Sequence, residues 1–326
     1  MIKKKIAIVG CGLWGKNLVR NFSELGALFS ICDLNSEIAD QYASQYDVKK
    51  CSFTEILNDP NIKGIVLTVP AHLHAAMAIE AMNKNKHVFV EKPLAINEME
   101  AEAMIATAKK NKVRLMVGHL LQYHPIFKTI REYVGSNKIG KINYIYSNRL
   151  SFGKVRAPED VIWSFAPHDI SMILSLTGQE LEYVSANSTS ILQKNIADTA
   201  TIHLEFKSGL KSHISVSWLN PYKENKLVVI GQSAMLVFDD TKPWHEKLAL
   251  YPFKVVSSKN LTNLQNSNVQ YVKVTEQEPL KNECQHFIDV VEKDIQPLTD
   301  GAEGLRVLKV LSAASRSQIK NERVKL

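Results

Sequence analysis

The sequence predicts an α/β protein: an N-terminal doubly wound parallel sheet, then an α/β domain with a large, mainly antiparallel open sheet. Three observations predict it. Short β-branched runs alternate with helical patterns through the first 120 residues, as βαβ units require. The run Gly10-Cys11-Gly12-Leu13-Trp14-Gly15 stands between the first strand and the first helix. From residue 121 onward the alternation gives way to long β-rich runs separated by Asn, Gly, Lys and Ser turns. The expected division is a nucleotide-binding domain over 1–120 and a substrate-binding and oligomerisation domain over 121–326.

Lys5–Val9 is apolar and ends in glycine, the pattern of a parallel strand buried on both faces. Trp14–Leu25 follows with helical spacing. Strands at Leu28–Cys32, Gly64–Val69, His87–Val90 and Leu115–Gly118 then alternate with helices at Ile38–Tyr46, Ala75–Asn83 and Asn97–Lys110. Past the boundary, a helix over Ile126–Val134 precedes strands at Ile142–Leu150, Tyr183–Leu192, Thr199–Phe206, Lys211–Trp218, Leu227–Val229, Ala234–Phe238 and Leu248–Phe253. A helix around Ala166–Leu176 interrupts the strands, and helices near Asn282–Glu292 and Gly301–Ile319 close the series.

A length of 326 residues exceeds one ordinary core and suits two domains of roughly 100–200 residues. Hydrophobic residues at 45% and charged residues at 22% exclude a disordered or fibrous chain. Forty basic residues against 33 acidic ones leave a formal +7. The bases are scattered, without interleaved aromatics or a nucleic-acid module, so no nucleic-acid partner is expected. The residual positive field favours capture of an anionic small molecule. Cys11, Cys32, Cys51 and Cys284 are not spaced as a metal or disulfide pair, and no metal is expected. The apolar run Ile6–Val9 is cut at once by Gly10, unlike a secretion signal, and no stretch approaches the ~20 apolar residues of a membrane helix. The expected location is the cytoplasm.

In the glycine run, Gly10 permits the tight turn, Gly12 has no side chain to block a pyrophosphate, and Gly15 lets helix and strand approach. The helix start offers free N–H groups and the positive end of its dipole to phosphates. A plain tight turn is the other reading of these glycines. Asp33 follows the second strand, 18 residues after Gly15. A carboxylate there accepts from a ribose diol and repels a 2′-phosphate, and no Arg follows in Leu34-Asn35, so NAD is favoured over NADP. Taken alone, Asp33 also reads as a helix N-cap. Glu91-Lys92-Pro93 stands at the carboxyl end of a strand, where ligands of such sheets sit. Two readings are open for Lys92. One is a surface lysine before a turn. The other is a base, its charged form disfavoured by burial and by an oxidised nicotinamide, that accepts an alcohol proton as hydride leaves the same carbon.

Gly10–Gly15, Val69-Pro70 with His74, and the run Lys86-His87-Val88-Phe89-Val90-Glu91-Lys92-Pro93 resemble the glucose–fructose oxidoreductase / inositol dehydrogenase (Gfo/Idh/MocA) family. So does Asp300-Gly301-Ala302-Glu303-Gly304-Leu305, with Ala313 and Ser317 beyond it. The resemblance covers essentially the whole chain. It implies a Rossmann domain, a second domain with an open antiparallel sheet, and NAD-dependent dehydrogenase chemistry on the CH–OH groups of sugars or polyols. It implies a proton-transferring lysine at Lys92 and a cis bond before Pro93. It places cofactor contacts on the glycine loop with Leu13 and Trp14, and on Asp33, Thr68, Pro70, His74 and Glu91. His72 reads as an exposed loop residue.

Family members usually carry an Asp four residues before a helical His that contacts the reacting hydroxyl or assists proton transfer. His168 matches that His, with a core histidine as the other reading, and Ser164 stands in the Asp position. Asp169 does not substitute, because a helical neighbour points about 100° away. Gln122 stands where the family often has Arg, and Tyr123 is either a substrate partner or a core aromatic. Lys154 and Arg156 suit a diphosphate or carboxylate, or form a solvated charge pair. With the Trp163–Asp169 segment they resemble members that oxidise C3 of UDP-N-acetylglucosamine-type nucleotide-sugars for lipopolysaccharide synthesis. The expected substrate contacts are thus Lys92, Tyr123, Lys154, Arg156, Ser164 and His168. A polyol or free-sugar dehydrogenase, or a non-catalytic NAD-binding regulator, is the alternative. Family members are commonly dimers or tetramers, so a homo-oligomer is expected, its open sheet face between subunits.

Overall fold

The computed structural model describes residues 5–153, 159–258 and 261–326; Lys154 and Arg156 lie outside them. The chain divides into two compact units, Met1–Tyr123 with Gln277–Leu308, and His124–Glu276 with Lys309–Leu326.

The first unit opens with β1 (Ile6–Val9), α1 (Gly15–Glu24), β2 (Leu28–Cys32), α2 (Ser36–Tyr46), β3 (Lys49–Lys50) and α3 (Phe53–Asn58). It continues with β4 (Gly64–Leu67), α4 (His74–Asn83), β5 (His87–Val90), α5 (Glu98–Asn111) and β6 (Leu115–Val117). The strands lie in the order β3-β2-β1-β4-β5-β6, and every pair is parallel. This is the doubly wound order, with its switch point between β1 and β4. Every residue of β1 is buried, which is why its run is apolar without alternation. Val9 lies beside Cys32 on one side and Leu67 on the other, and Leu67 beside Val90. That register brings the loops after β1, β2, β4 and β5 out at one edge of the sheet. Two elements go beyond the sequence expectation. Strand β3 is two exposed lysines with no apolar signal, and α3 is a single short helix started by a Ser52–Glu55 capping box.

The second unit contains α6 (Pro125–Gly135), β7 (Ile142–Phe152), α7 (Val161–Thr177), β8 (Leu181–Thr189), β9 (Thr199–Phe206) and β10 (Lys211–Ser217). Then come β11 (Leu219–Gly231), β12 (Ala234–Asp239), β13 (Leu248–Ser258), β14 (Leu261–Asn266) and β15 (Gln270–Tyr271). After α8 (Pro279–Lys293) and α9 (Gly301–Lys320), β16 (Val324–Lys325) returns to this sheet. Its order is β14-β13-β12-β11-β7-β10-β9-β8-β16, with β15 on β13. Only the β7–β10 pair is parallel among the described residues. Helix α7 packs across β7, β9 and β10. It begins at Val161, earlier than expected, because Asp160 caps it by accepting from Trp163 N at 3.0 Å. Pro167 therefore sits inside the helix, where it withholds one N–H from the Trp163 carbonyl. The opposite face of the sheet carries Tyr144, Tyr146, His203 and His213, with Tyr146 stacked on His213 at 5.3 Å.

The expected boundary at residue 120 needs a correction. Residues 277–308 pack with the first unit, not the second. Phe287 of α8 meets Phe22 edge-on at 6.3 Å and Phe89 at 5.6 Å, and Cys284 and Ile288 join the same core. Val117 N donates to the Thr299 carbonyl at 2.7 Å, which extends the edge of β6. The amphipathic spacing of Leu280, Cys284, Phe287 and Ile288 reveals a buried face, but not which core that face completes.

Candidate active site

The edge of the first sheet gathers most of the residues expected at the cofactor. Gly10 has φ +93°, and a Cβ there would lie 2.8 Å from the Thr68 carbonyl oxygen. A Cβ on Gly15 would lie 2.1 Å from the Gly10 oxygen. Neither position admits another residue. Gly12 differs: a Cβ there meets nothing within 4 Å, so its missing side chain leaves open space. The Thr68 hydroxyl donates to the Gly10 carbonyl and ties the loops after β1 and β4 together. Side chains of Asn35, Ser52, Asn97 and Asp160 cap α2, α3, α5 and α7, but none caps α1, and its first turn has no acid. Lys16 N and Asn17 N donate to the Gly12 and Trp14 carbonyls at 3.1 and 2.9 Å, so the start of α1 offers an anion the positive end of its dipole with no side-chain cap or acid in the way. Leu13 and Trp14 are exposed beside them.

Asp33 accepts from Cys11 N at 2.6 Å and from Asn35 N at 2.8 Å. The N-cap of α2 is Asn35, so Asp33 is not spent on capping. Each of its oxygens keeps a lone pair for a ribose hydroxyl. Open space at Gly12, a helix start with no side-chain cap or acid, and a carboxylate after β2 fit a dinucleotide. Cys11 is inert: burial foremost, then Asp33 and Cys32, push its thiol up to about 12.

At the end of β5, Glu91 Oε1 accepts from the Trp14 indole at 2.6 Å, and Oε2 accepts from Lys92 N at 3.2 Å. A Cβ on Gly118 would stand 3.0 Å from that carboxyl, so Gly118 makes room for it. Burial raises the Glu91 carboxyl, while the Trp14 indole, Lys92 and His119 oppose the rise. The Lys92–Pro93 bond is cis. His74 departs from its expected cofactor contact. It is buried, with Nδ1 2.8 Å from the Pro93 carbonyl and Nε2 2.8 Å from the Val69 carbonyl. The ring braces the Lys92 turn against the loop after β4. Pro70 and His72 are exposed on that loop, and Thr68 is half-buried.

Tyr123 also needs correction. It is buried in the first unit, its hydroxyl lies 3.0 Å from Thr299 Oγ1, and its ring packs on His286 at 5.4 Å. It is the core aromatic of the two readings. Gln122 is buried beside it in sequence, and His119 Nδ1 lies 2.5 Å from Glu303 Oε2.

In the second unit, α7 carries Ser164 and His168 one turn apart, the first buried and the second half-buried. Asp169 points away, as expected. It is buried and receives a two-pronged bond from Arg149, Nε at 2.6 Å and Nη2 at 3.2 Å. Residues that sequence reasoning missed are Gly118, Thr299 and a buried acid, Glu283, on the apolar face of α8.

Residues 4–119 match a family described as an oxidoreductase family with an NAD-binding Rossmann fold, and residues 127–237 match the GFO/IDH/MocA C-terminal domain. The chain is 25% identical to YrbE, an uncharacterised oxidoreductase of Bacillus subtilis, over 95% of this chain and 93% of that protein. It is 23% identical to a myo-inositol 2-dehydrogenase of Thermotoga maritima, over 99% of this chain and 98% of that protein. The solved UDP-N-acetylglucosamine 3-dehydrogenase of Acidithiobacillus ferrooxidans superposes with a TM-score of 0.86 at 22% identity, covering 97% of this chain and 98% of that one. The matched first domain is an NAD-binding one, which makes NAD the cofactor.

Proposed function

The chain belongs to the GFO/IDH/MocA oxidoreductase family, and from that premise we propose that it oxidises a secondary hydroxyl, at C3, of a nucleotide-linked sugar such as UDP-N-acetylglucosamine. One observation carries the reading. Lys92 sits on a turn at the edge of the cofactor sheet, fixed by Glu91 on one side and, through the Pro93 carbonyl, by His74 on the other. NAD, when bound, supplies the hydride acceptor. Lys92 Nζ takes the hydroxyl proton, so the O–H pair becomes the second bond of the carbonyl as hydride leaves the carbon. His168 orients that hydroxyl or shares its proton. With Ser164 in the Asp position, Lys92 carries more of the proton transfer. Lys154 and Arg156 are assigned to the diphosphate. The enzyme acts as a homo-oligomer in the cytoplasm, with the ring-bearing face of its second sheet between copies.

A polyol dehydrogenase is the second reading, favoured by the likeness to the myo-inositol enzyme. A panel of UDP-sugars, free sugars and inositols, followed by NADH absorbance with a carbonyl trap, separates the two. UDP-N-acetylglucosamine should show the highest kcat/KM; a faster inositol overturns the nucleotide-sugar reading. Lys92→Met should keep NAD binding and lose about 10²–10⁴-fold in turnover. Turnover within a few-fold of wild type would remove Lys92 as the base.

A further inference from the structure

Glu283 stands on the second turn of α8, on the face that carries Leu280, Cys284 and Phe287 into the first core. It is completely buried, and neither carboxyl oxygen has a hydrogen-bond partner among the described residues. An ionised carboxylate in such a place is strongly disfavoured. One turn further on, Phe287 packs on Phe89 at 5.6 Å, two residues before Glu91 at the end of β5, and Glu91 is the acid whose charge reaches Glu283. Glu91 has what Glu283 lacks: an indole N–H, a backbone N–H, and the charge of the adjacent Lys92. Two buried carboxyl groups whose charges repel do not both ionise. The negative charge settles on Glu91 and the proton on Glu283.

We propose that Glu283 is a positioning residue for the Lys92 chemistry: as an uncharged acid it holds the Glu91–Glu283 pair at one negative charge. Glu91 then keeps the Trp14 indole and the Lys92 turn in place, and Lys92 is spared a second anion that would stabilise its ammonium and withhold the base. Burial, and after it the charge of Glu91, raises the Glu283 carboxyl well above the usual range. The other titratable groups around the pair do not reverse this. Burial holds Tyr123 and Cys284 neutral, Glu303 is engaged with His119, and Arg20 and Glu278 at the start of α8 pair with each other at 2.5 Å.

The inference rests on the reading of Lys92 as base, and its test has a readout that does not. Infrared spectra of the full-length, NAD-bound enzyme at neutral pH should show a protonated-carboxyl C=O band that Glu283→Gln removes. Glu283→Met, apolar and of similar length, should remove the same band if the Gln variant folds poorly. On the alkaline side, wild-type kcat/KM should fall as Glu283 ionises, whereas both variants should hold a plateau. A merely structural residue would leave that profile unmoved. A wild type without the band, or wild-type and variant profiles that superimpose, overturns the proposal. If the band stands but Lys92→Met keeps its turnover, the reading of Lys92 has failed and the charge state of Glu283 has not.

Discussion

The first unit buries Glu283 completely and leaves its carboxyl without donors among the described residues, while Glu91, half-buried, has them. The second unit buries an acid too, but gives Asp169 both prongs of the Arg149 guanidinium. It also buries His124 between Phe238 and Trp244, where burial foremost holds the imidazole down at about 4 against the attraction of Asp240. The pH consequences have opposite signs. The Glu283 carboxyl is raised above its unfolded value, so its contribution to stability is full below about 4.5 and lost as pH rises. His124 is depressed below its unfolded 6.5, so its contribution is full above that value and lost as pH falls towards 4. A paired buried acid fixes structure. An unpaired one is a group whose charge can change, and it lies in the unit that binds the cofactor.

That contrast can be broken most directly at Arg149. Arg149→Met leaves Asp169 buried and alone, and should cost about 3–5 kcal/mol in denaturant unfolding. Adding Asp169→Asn should recover part of the loss. Unchanged stability in the single variant would show that Asp169 does not depend on its pair. The next effect is the pH dependence of the second unit. Between pH 7 and pH 5, His124 should remove about 2 kcal/mol of stability, 1.36 kcal/mol for each of 1.5 pH units below 6.5. Hydrogen exchange in β12 at the two pH values reads it, and His124→Phe should flatten the dependence. The smallest effect concerns the first unit. Tyr123→Phe should cost about 1 kcal/mol for the lost Thr299 hydrogen bond and leave kcat/KM unchanged. A fall in kcat/KM with stability intact would return Tyr123 to the substrate.

Most of the first sheet was legible because its strands are apolar on both faces and its glycine run has a steric reason at each position. The partner of a buried face was not. The spacing in α8 shows where Phe287 points relative to its helix, but the rings it meets, Phe22 and Phe89, are 265 and 198 residues away in sequence. The signal for Glu283 was present in the same pattern, as an acid among the apolar positions 280, 284 and 287. Tyr123 and His74 illustrate a different limit. Residue type and strand position bring a polar ring near the site edge, yet whether its atoms meet a ligand or the backbone depends on packing that one sequence does not print. The start of α7 was misplaced because Pro167 resembles a first-turn residue, and the Asp160 cap outweighs it.

The return of residues 277–308 to the first unit has a consequence for synthesis. Its sheet strands are complete by residue 117, but Phe287 and the strand-like contact at Thr299 emerge only after some 180 further residues. At about 5–20 residues per second that is a wait on the order of 10–40 s. During it, the nascent nucleotide-binding unit exposes the flank of Phe22 and Phe89 that α8 will later cover. A fragment cut at residue 123 would carry the same bare flank permanently, however complete its glycine loop.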